Sequence, residues 1–77
     1  MEVSIGEPDA LLFGRNLCLA RKRRGMSQTT LAERAGLSRD SIYKLEMGLR
    51  SARLGTLFAL ADALGIDPCD LLEGLRP

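Results

Sequence analysis

The stretch Gln28-Thr29-Thr30-Leu31-Ala32-Glu33-Arg34-Ala35-Gly36-Leu37-Ser38-Arg39-Asp40-Ser41-Ile42-Tyr43-Lys44-Leu45-Glu46 decides the fold. It reads as two short helices hinged at a glycine. Ser27 is a good N-cap for the first and Ser38 for the second, because a serine hydroxyl can accept an orphan backbone N–H of the first turn. Gly36 stands where the turn requires a positive φ, which glycine reaches without a Cβ penalty. Leu31, Ala32 and Ala35 share one face of the first helix, and Ile42 and Leu45, three apart, form the inner face of the second. Helices this short do not stand alone in water, so they must pack on each other and on the rest of the chain. Ala32 is small where the two would approach closely, and Leu37 plugs the turn.

Moving outward, the punctuation continues. Asp9 opens an apolar-periodic stretch that runs to Arg24 and stops at Gly25, with Phe13, Leu17, Ala20 and Arg24 repeating at helical spacing. The second short helix is expected to run to about Met47, before Gly48. After a loop holding Arg50, Ser51 and Arg53, Thr56 is expected to begin a helix closed by Gly65. Asp67-Pro68 then supplies cap and first turn for a last helix ending near Gly74. Five bracketed helices leave no room for a strand, and the abundance of Leu and Ala over β-branched residues agrees. The expected architecture is all-α: a compact five-helix bundle in one domain over residues 9–75, with a flexible segment at 1–8 and a helix-turn-helix at about 27–47.

Composition narrows the function classes. The chain has no histidine, and its two cysteines, Cys18 and Cys69, are far apart, whereas a zinc site needs about four Cys or His ligands. No metal and no cofactor are expected, and the thiols read as partly buried ones in a reducing compartment. No apolar run approaches the ~20 residues of a membrane span, and the N-terminus carries acids where a signal peptide carries bases. The expectation is a cytoplasmic protein with no membrane partner. An enzyme is disfavoured by the lack of histidine, of a phosphate-cradling glycine loop and of paired carboxylates at a cleft.

The formal net charge of +1 conceals a division along the chain. Residues 15–53 carry ten bases against Glu33, Asp40 and Glu46, a net +7, while each flank carries −3. A basic centre between acidic ends suits a polyanion-binding face, and equally a set of solvated helix faces. Position decides between them. Arg39, Asp40 and Ser41 occupy the first turn of the second short helix, with Tyr43 and Lys44 also outward, and that end enters the major groove when such a unit docks on DNA. Arginine and lysine donate to guanine, aspartate accepts from cytosine N4, and serine is permissive.

The ordered set Leu17…Arg21…Gly25-Met26-Ser27-Gln28, Leu31 to Ser38, Ile42…Leu45-Glu46-Met47-Gly48…Arg50 and Thr56-Leu57…Leu60-Ala61…Leu64-Gly65-Ile66 resembles the Cro/phage-repressor (Xre-type) helix-turn-helix family over about Phe13 to Leu72. The resemblance implies the lambda-repressor-like fold and a sequence-specific DNA-binding transcriptional regulator, a repressor, acting as a homodimer with a recognition helix at about 38–46. It implies double-stranded DNA with a pseudo-palindromic operator as partner, hence association with the nucleoid, and no small-molecule ligand. Arg39, Asp40, Ser41 and Lys44 would face bases. Gln28, Arg50, Ser51 and Arg53 would hold phosphates, and Tyr43 reads as either a phosphate contact or a surface cap. Arg21 and Glu46 would pair across the first and third helices. Asp40 is less usual at a base-facing position than an amide; it could read cytosine, pair with a neighbouring arginine or repel phosphate. Ala52 stands where the family often has proline, which implies a looser loop. Leu71, Leu72 and Leu75 exceed what so short a last helix can bury and read as a dimer contact, or else as a lid on the core. A second class, a protein-interaction module such as an antitoxin docking a partner protein, uses the same fold.

Overall fold

The computed structural model describes residues 9–75; the expected flexible segment at 1–8 lies outside the described residues. The regular elements among those residues are five helices: α1 (Asp9–Arg23), α2 (Gln28–Ala35), α3 (Arg39–Glu46), α4 (Leu54–Leu64) and α5 (Pro68–Leu71).

Local chemistry sets most of the boundaries. Ser27 Oγ accepts the Thr30 N–H at 3.0 Å and Ser38 Oγ accepts the Ser41 N–H at 3.1 Å, each satisfying an orphan donor at its helix start. Gly36 takes φ 72°, and the Leu37 N–H returns to the Ala32 carbonyl at 2.8 Å, a Schellman closure that turns the chain from α2 into α3. Asp67 accepts the Cys69 N–H at 2.8 Å to open α5. On α1, Asp9 lies in the first turn and Arg21, Lys22 and Arg23 in the last, the arrangement favoured by the helix dipole.

Two boundaries differ from expectation. Helix α4 begins at Leu54 rather than Thr56, and its N-cap, Arg53, makes no side-chain capping bond. Ala52 and Leu57 are both buried, so burial on either side of the junction overrides the better local cap. Helix α5 stops at Leu71 rather than near Gly74. There the Asn16 amide donates to the carbonyls of Leu71 at 3.1 Å and Glu73 at 2.9 Å, and this tie to α1 takes the place of another helical turn.

The core lies where α1 crosses α3 and α5, α2 packs on α3 and α4, and α4 meets α5. Phe13, Leu17, Leu31, Ile42, Leu45, Leu60, Leu64 and Leu71 are fully buried, each contributing about 1.5–3 kcal/mol of transfer free energy against exposure. Leu71 therefore has no surface left for a partner and closes the core, while Leu72 and Leu75 pack against the same cluster as half-buried neighbours that keep exposed area. Ala52 is likewise in the core, which anchors the loop before α4 where a looser one was expected. Cys18 is half-buried, but Cys69, expected to be partly buried, is exposed. No helix among the described residues is long and apolar enough to cross a membrane.

A glycine fixes the distance between α1 and α3. A Cβ at Gly14 would meet the Glu46 carbonyl oxygen at 2.6 Å and its carbon at 2.9 Å, with the Leu45 carbonyl oxygen nearer still. Only a residue without a side chain lets α1 lie directly on the backbone at the end of α3.

Candidate nucleic-acid interface

Helix α3 turns Ile42 and Leu45 into the core and leaves Arg39, Asp40 and Tyr43 exposed, with Ser41 and Lys44 half-buried beside them. The four residues expected to face bases thus lie on one short helix outside the core. Lys44 Nζ and Asp40 Oδ2 form an ion pair at 3.0 Å, one turn apart. Asp40 does pair in the free protein, but with Lys44 rather than with the arginine expected of it.

The end of α3 is clamped. Arg21 Nε donates to Glu46 Oε2 at 2.6 Å and Arg21 Nη2 to Glu46 Oε1 at 3.1 Å, a bidentate pair. The two side chains are 12% and 5% exposed. Arg21 Nη1 also donates to the Met26 carbonyl at 2.9 Å, which ties the α1–α2 loop into the same node. Gln28, the first residue of α2, donates through Nε2 to Glu46 Oε1 at 3.1 Å. One carboxylate therefore links α1, α2 and α3. Burial pushes the Glu46 carboxyl up, but hydrogen bonds from Arg21 and Gln28, with the Arg21 charge, more than reverse this and hold it below the usual carboxylate range. The Gln28 contact had no sequence signal, since the pairing spans α2 and α3 through a single side chain.

Beside α3, an open cleft of about 540 Å³ is lined by Leu37, Leu45, Ser41, Arg50, Ser51 and Arg53. The three loop residues expected to hold phosphate are brought together here, with a residue of α3 beside them. Arg50 Nη1 donates to Ser41 Oγ at 3.2 Å, and the Ser38 hydroxyl is hydrogen-bonded to the same oxygen at 2.9 Å. Gln28 and Tyr43 are not lining residues of this cleft; they belong to α2 and to the exposed face of α3. Thr56, which also lines it, was missed as a site residue because it read only as a helix start. Among the described residues no group of three or more His, Cys, Asp or Glu side chains is placed to hold a metal ion.

A glycine-hinged pair of short helices, the second clamped from behind and presenting polar side chains beside a basic cleft, defines the helix-turn-helix regulators. The family described as Helix-turn-helix matches residues 19–71. An uncharacterized HTH-type transcriptional regulator of Sinorhizobium fredii, y4dJ, is 34% identical over 61 residues, 79% of each chain. The crystal structure of the restriction-modification controller protein C.AhdI from Aeromonas hydrophila superposes with a TM-score of 0.80 at 40% identity. It covers 82% of this chain and 96% of the other. The P22 c2 repressor in complex with a synthetic operator superposes with a TM-score of 0.74 at 29% identity, covering 80% and 94%. The chain belongs to the helix-turn-helix family, in its Xre-type branch of Cro- and repressor-like transcriptional regulators.

Proposed function

We propose that this protein is a sequence-specific repressor that binds a pseudo-palindromic operator as a homodimer, with α3 in the major groove of each half-site. The observation that carries the reading is the construction of α3. Its inner face and its last residue are locked into the core and the Arg21–Glu46 clamp, while Arg39, Asp40, Ser41 and Lys44 are left to meet base edges. Arg50, Ser51 and Arg53 in the adjoining cleft, with Gln28 and Tyr43, take the flanking phosphates and supply most of the affinity. The homodimer is supported by exposed apolar surface on α4, where Leu54 and Phe58, one turn apart, are 46% and 48% exposed. The protein acts on the nucleoid in the cytoplasm, without a small-molecule ligand and without catalysis.

The test is selection of binding sites from a randomised DNA pool at about 150 mM salt, which suppresses loose electrostatic binding. Enrichment of a pseudo-palindrome with half-sites about 10 bp apart is the expected result. Folded protein that enriches no sequence would overturn the reading and favour a module that docks a partner protein.

A further inference from the structure

Asp40 and Lys44 stand one turn apart on the outer face of α3, with Lys44 Nζ 3.0 Å from Asp40 Oδ2. Residues four apart on a helix are neighbours on its surface, so the pair presents a donor and an acceptor side by side. Neither role is ambiguous. An ammonium only donates and an ionised carboxylate only accepts, and their mutual bond leaves hydrogen-bonding capacity on both. The Lys44 and Asp40 side chains are 42% and 69% exposed, open to whatever approaches the helix.

A base pair offers the complementary arrangement. In a G·C pair guanine O6 accepts from cytosine N4, so the two atoms stand about 2.9 Å apart, close to the spacing of the ion pair. Each keeps one capacity in the major groove, a lone pair on O6 and the second N–H on N4. Lys44 over O6 and Asp40 over N4 would engage both atoms without leaving each other. Guanine N7, beside O6, is a further acceptor for the lysine. An A·T pair also sets a donor, adenine N6, beside an acceptor, thymine O4, but its outer groups are wrong: Lys44 would meet the thymine methyl and Asp40 the adenine N7 acceptor.

We propose that Asp40 and Lys44 are one specificity-determining unit, an ion pair that reads a single G·C base pair in one polarity, Lys44 on guanine and Asp40 on cytosine. Reversing the base pair sets the carboxylate against guanine's acceptors and the ammonium against the N4 amino group, and both contacts repel. Keeping the ion pair intact matters because docking removes water, and a desolvated charge without a partner is costly. The inference rests on the proposed entry of α3 into the major groove.

The experiment is site selection followed by competition binding, with the full chain and its Asp40→Ala, Lys44→Ala and doubly substituted forms. Both residues lie outside the core, so each variant should fold, which circular dichroism checks. Charge alone sends the single variants in opposite directions on DNA lacking the selected site: tighter for Asp40→Ala, weaker for Lys44→Ala. Base preference should instead respond alike. The wild type should favour G·C over its reversal by about fivefold or more at one pair of each half-site. Each single variant should lose that preference at the same pair and no other. The double variant should lose no more, as expected of groups that act together. Losses at two different pairs, or losses that multiply in the double variant, would overturn the inference while leaving the regulator reading standing. So would a wild-type preference for A·T at that pair, or single variants that keep every base preference and change only affinity and salt slope. A wild type that enriches no site overturns the regulator reading itself, and this inference with it.

Discussion

Gly14 and Gly55 both lie within helices, and replacing each by alanine should move stability in opposite directions. Alanine is the better helix former by about 1 kcal/mol at an interior position. At Gly55, in the first turn of α4, a Cβ meets nothing within 4 Å, so Gly55→Ala should stabilise by about 0.5–1 kcal/mol. At Gly14 the added carbon would sit 2.6 Å from the Glu46 carbonyl oxygen, against an ordinary contact of 3.4 Å or more, and the Leu45 oxygen is closer still. These are backbone atoms and cannot rotate aside, so α1 and α3 must separate by more than about 0.8 Å at their crossing. Overpacking of this kind costs about 1–3 kcal/mol, and the rigidity of the neighbours places Gly14→Ala at or above the upper end. After the gain in helix propensity, the net loss is about 2 kcal/mol or more, out of about 4–12 kcal/mol for a domain of this length. Thermal melts followed by circular dichroism should show Gly14→Ala falling by about 8–16 °C and Gly55→Ala rising by a few degrees. Gly14→Ala melting at or above the wild-type temperature would refute the argument that backbone contact sets the α1–α3 distance.

Three further outcomes follow from the site. Glu46→Gln leaves the Arg21 guanidinium without its counter-charge in a mostly buried position and should cost about 3–5 kcal/mol near neutral pH. Because the Glu46 carboxyl is held below its usual range, its contribution is complete above its unfolded value and lost as pH falls through the folded one. The stability gap between wild type and variant, read from urea unfolding, should therefore hold from pH 7 down to the ordinary carboxylate range and narrow as pH falls further, and a gap that does not narrow on acidification would contradict this. Asp40→Asn removes a negative charge from the face presented to DNA and releases Lys44 from its ion pair. Fluorescence anisotropy should show tighter binding to DNA lacking the selected site and a salt slope steeper by about one; unfolding should change by no more than about 0.5 kcal/mol, as for an exposed i,i+4 pair. The exposed Cys69 thiol is pushed up by its hydrogen bond to Asp67, then by the charges of Asp67 and Asp70. Alkylation at pH 8 should be slower than for a cysteine in an unstructured peptide, and an equal rate would count against that geometry.

What could be read from the chain was what local chemistry decides. Ser27, Ser38 and Asp67 bond donors within three residues of themselves, and Gly36 serves its own φ, so each announces its turn wherever the rest of the chain lies. What could not be read depends on residues distant in sequence. The start of α4 follows from Ala52 and Leu57 being buried together, which no capping rule contains. The end of α5 follows from an amide on α1, 55 residues earlier. Leu71 looked surplus for a short helix because the surface it covers belongs to other helices. Gly14 carried no signal, since a glycine inside a helical pattern says nothing until the helix crossing it is known. That Arg39, Asp40, Ser41 and Lys44 lie off the core face of α3 was legible from helical spacing, whereas the contacts beside them, Gln28 to Glu46 and Arg50 to Ser41, join elements that only folding brings together.

The separation between the inner and outer faces of α3 bears on how such a protein changes over generations. Ile42, Leu45 and Glu46 hold the helix in place, and Arg39, Asp40 and Lys44 belong neither to the core nor to the clamp. Under the proposed docking of α3, a duplicated copy would be re-addressed by single substitutions at those three positions, each close to neutral for folding, so that new targets would arise from one scaffold in small steps. Ser41 is the exception: its hydroxyl accepts from Arg50, so a substitution there also removes a contact with the loop, and those two positions should diverge together.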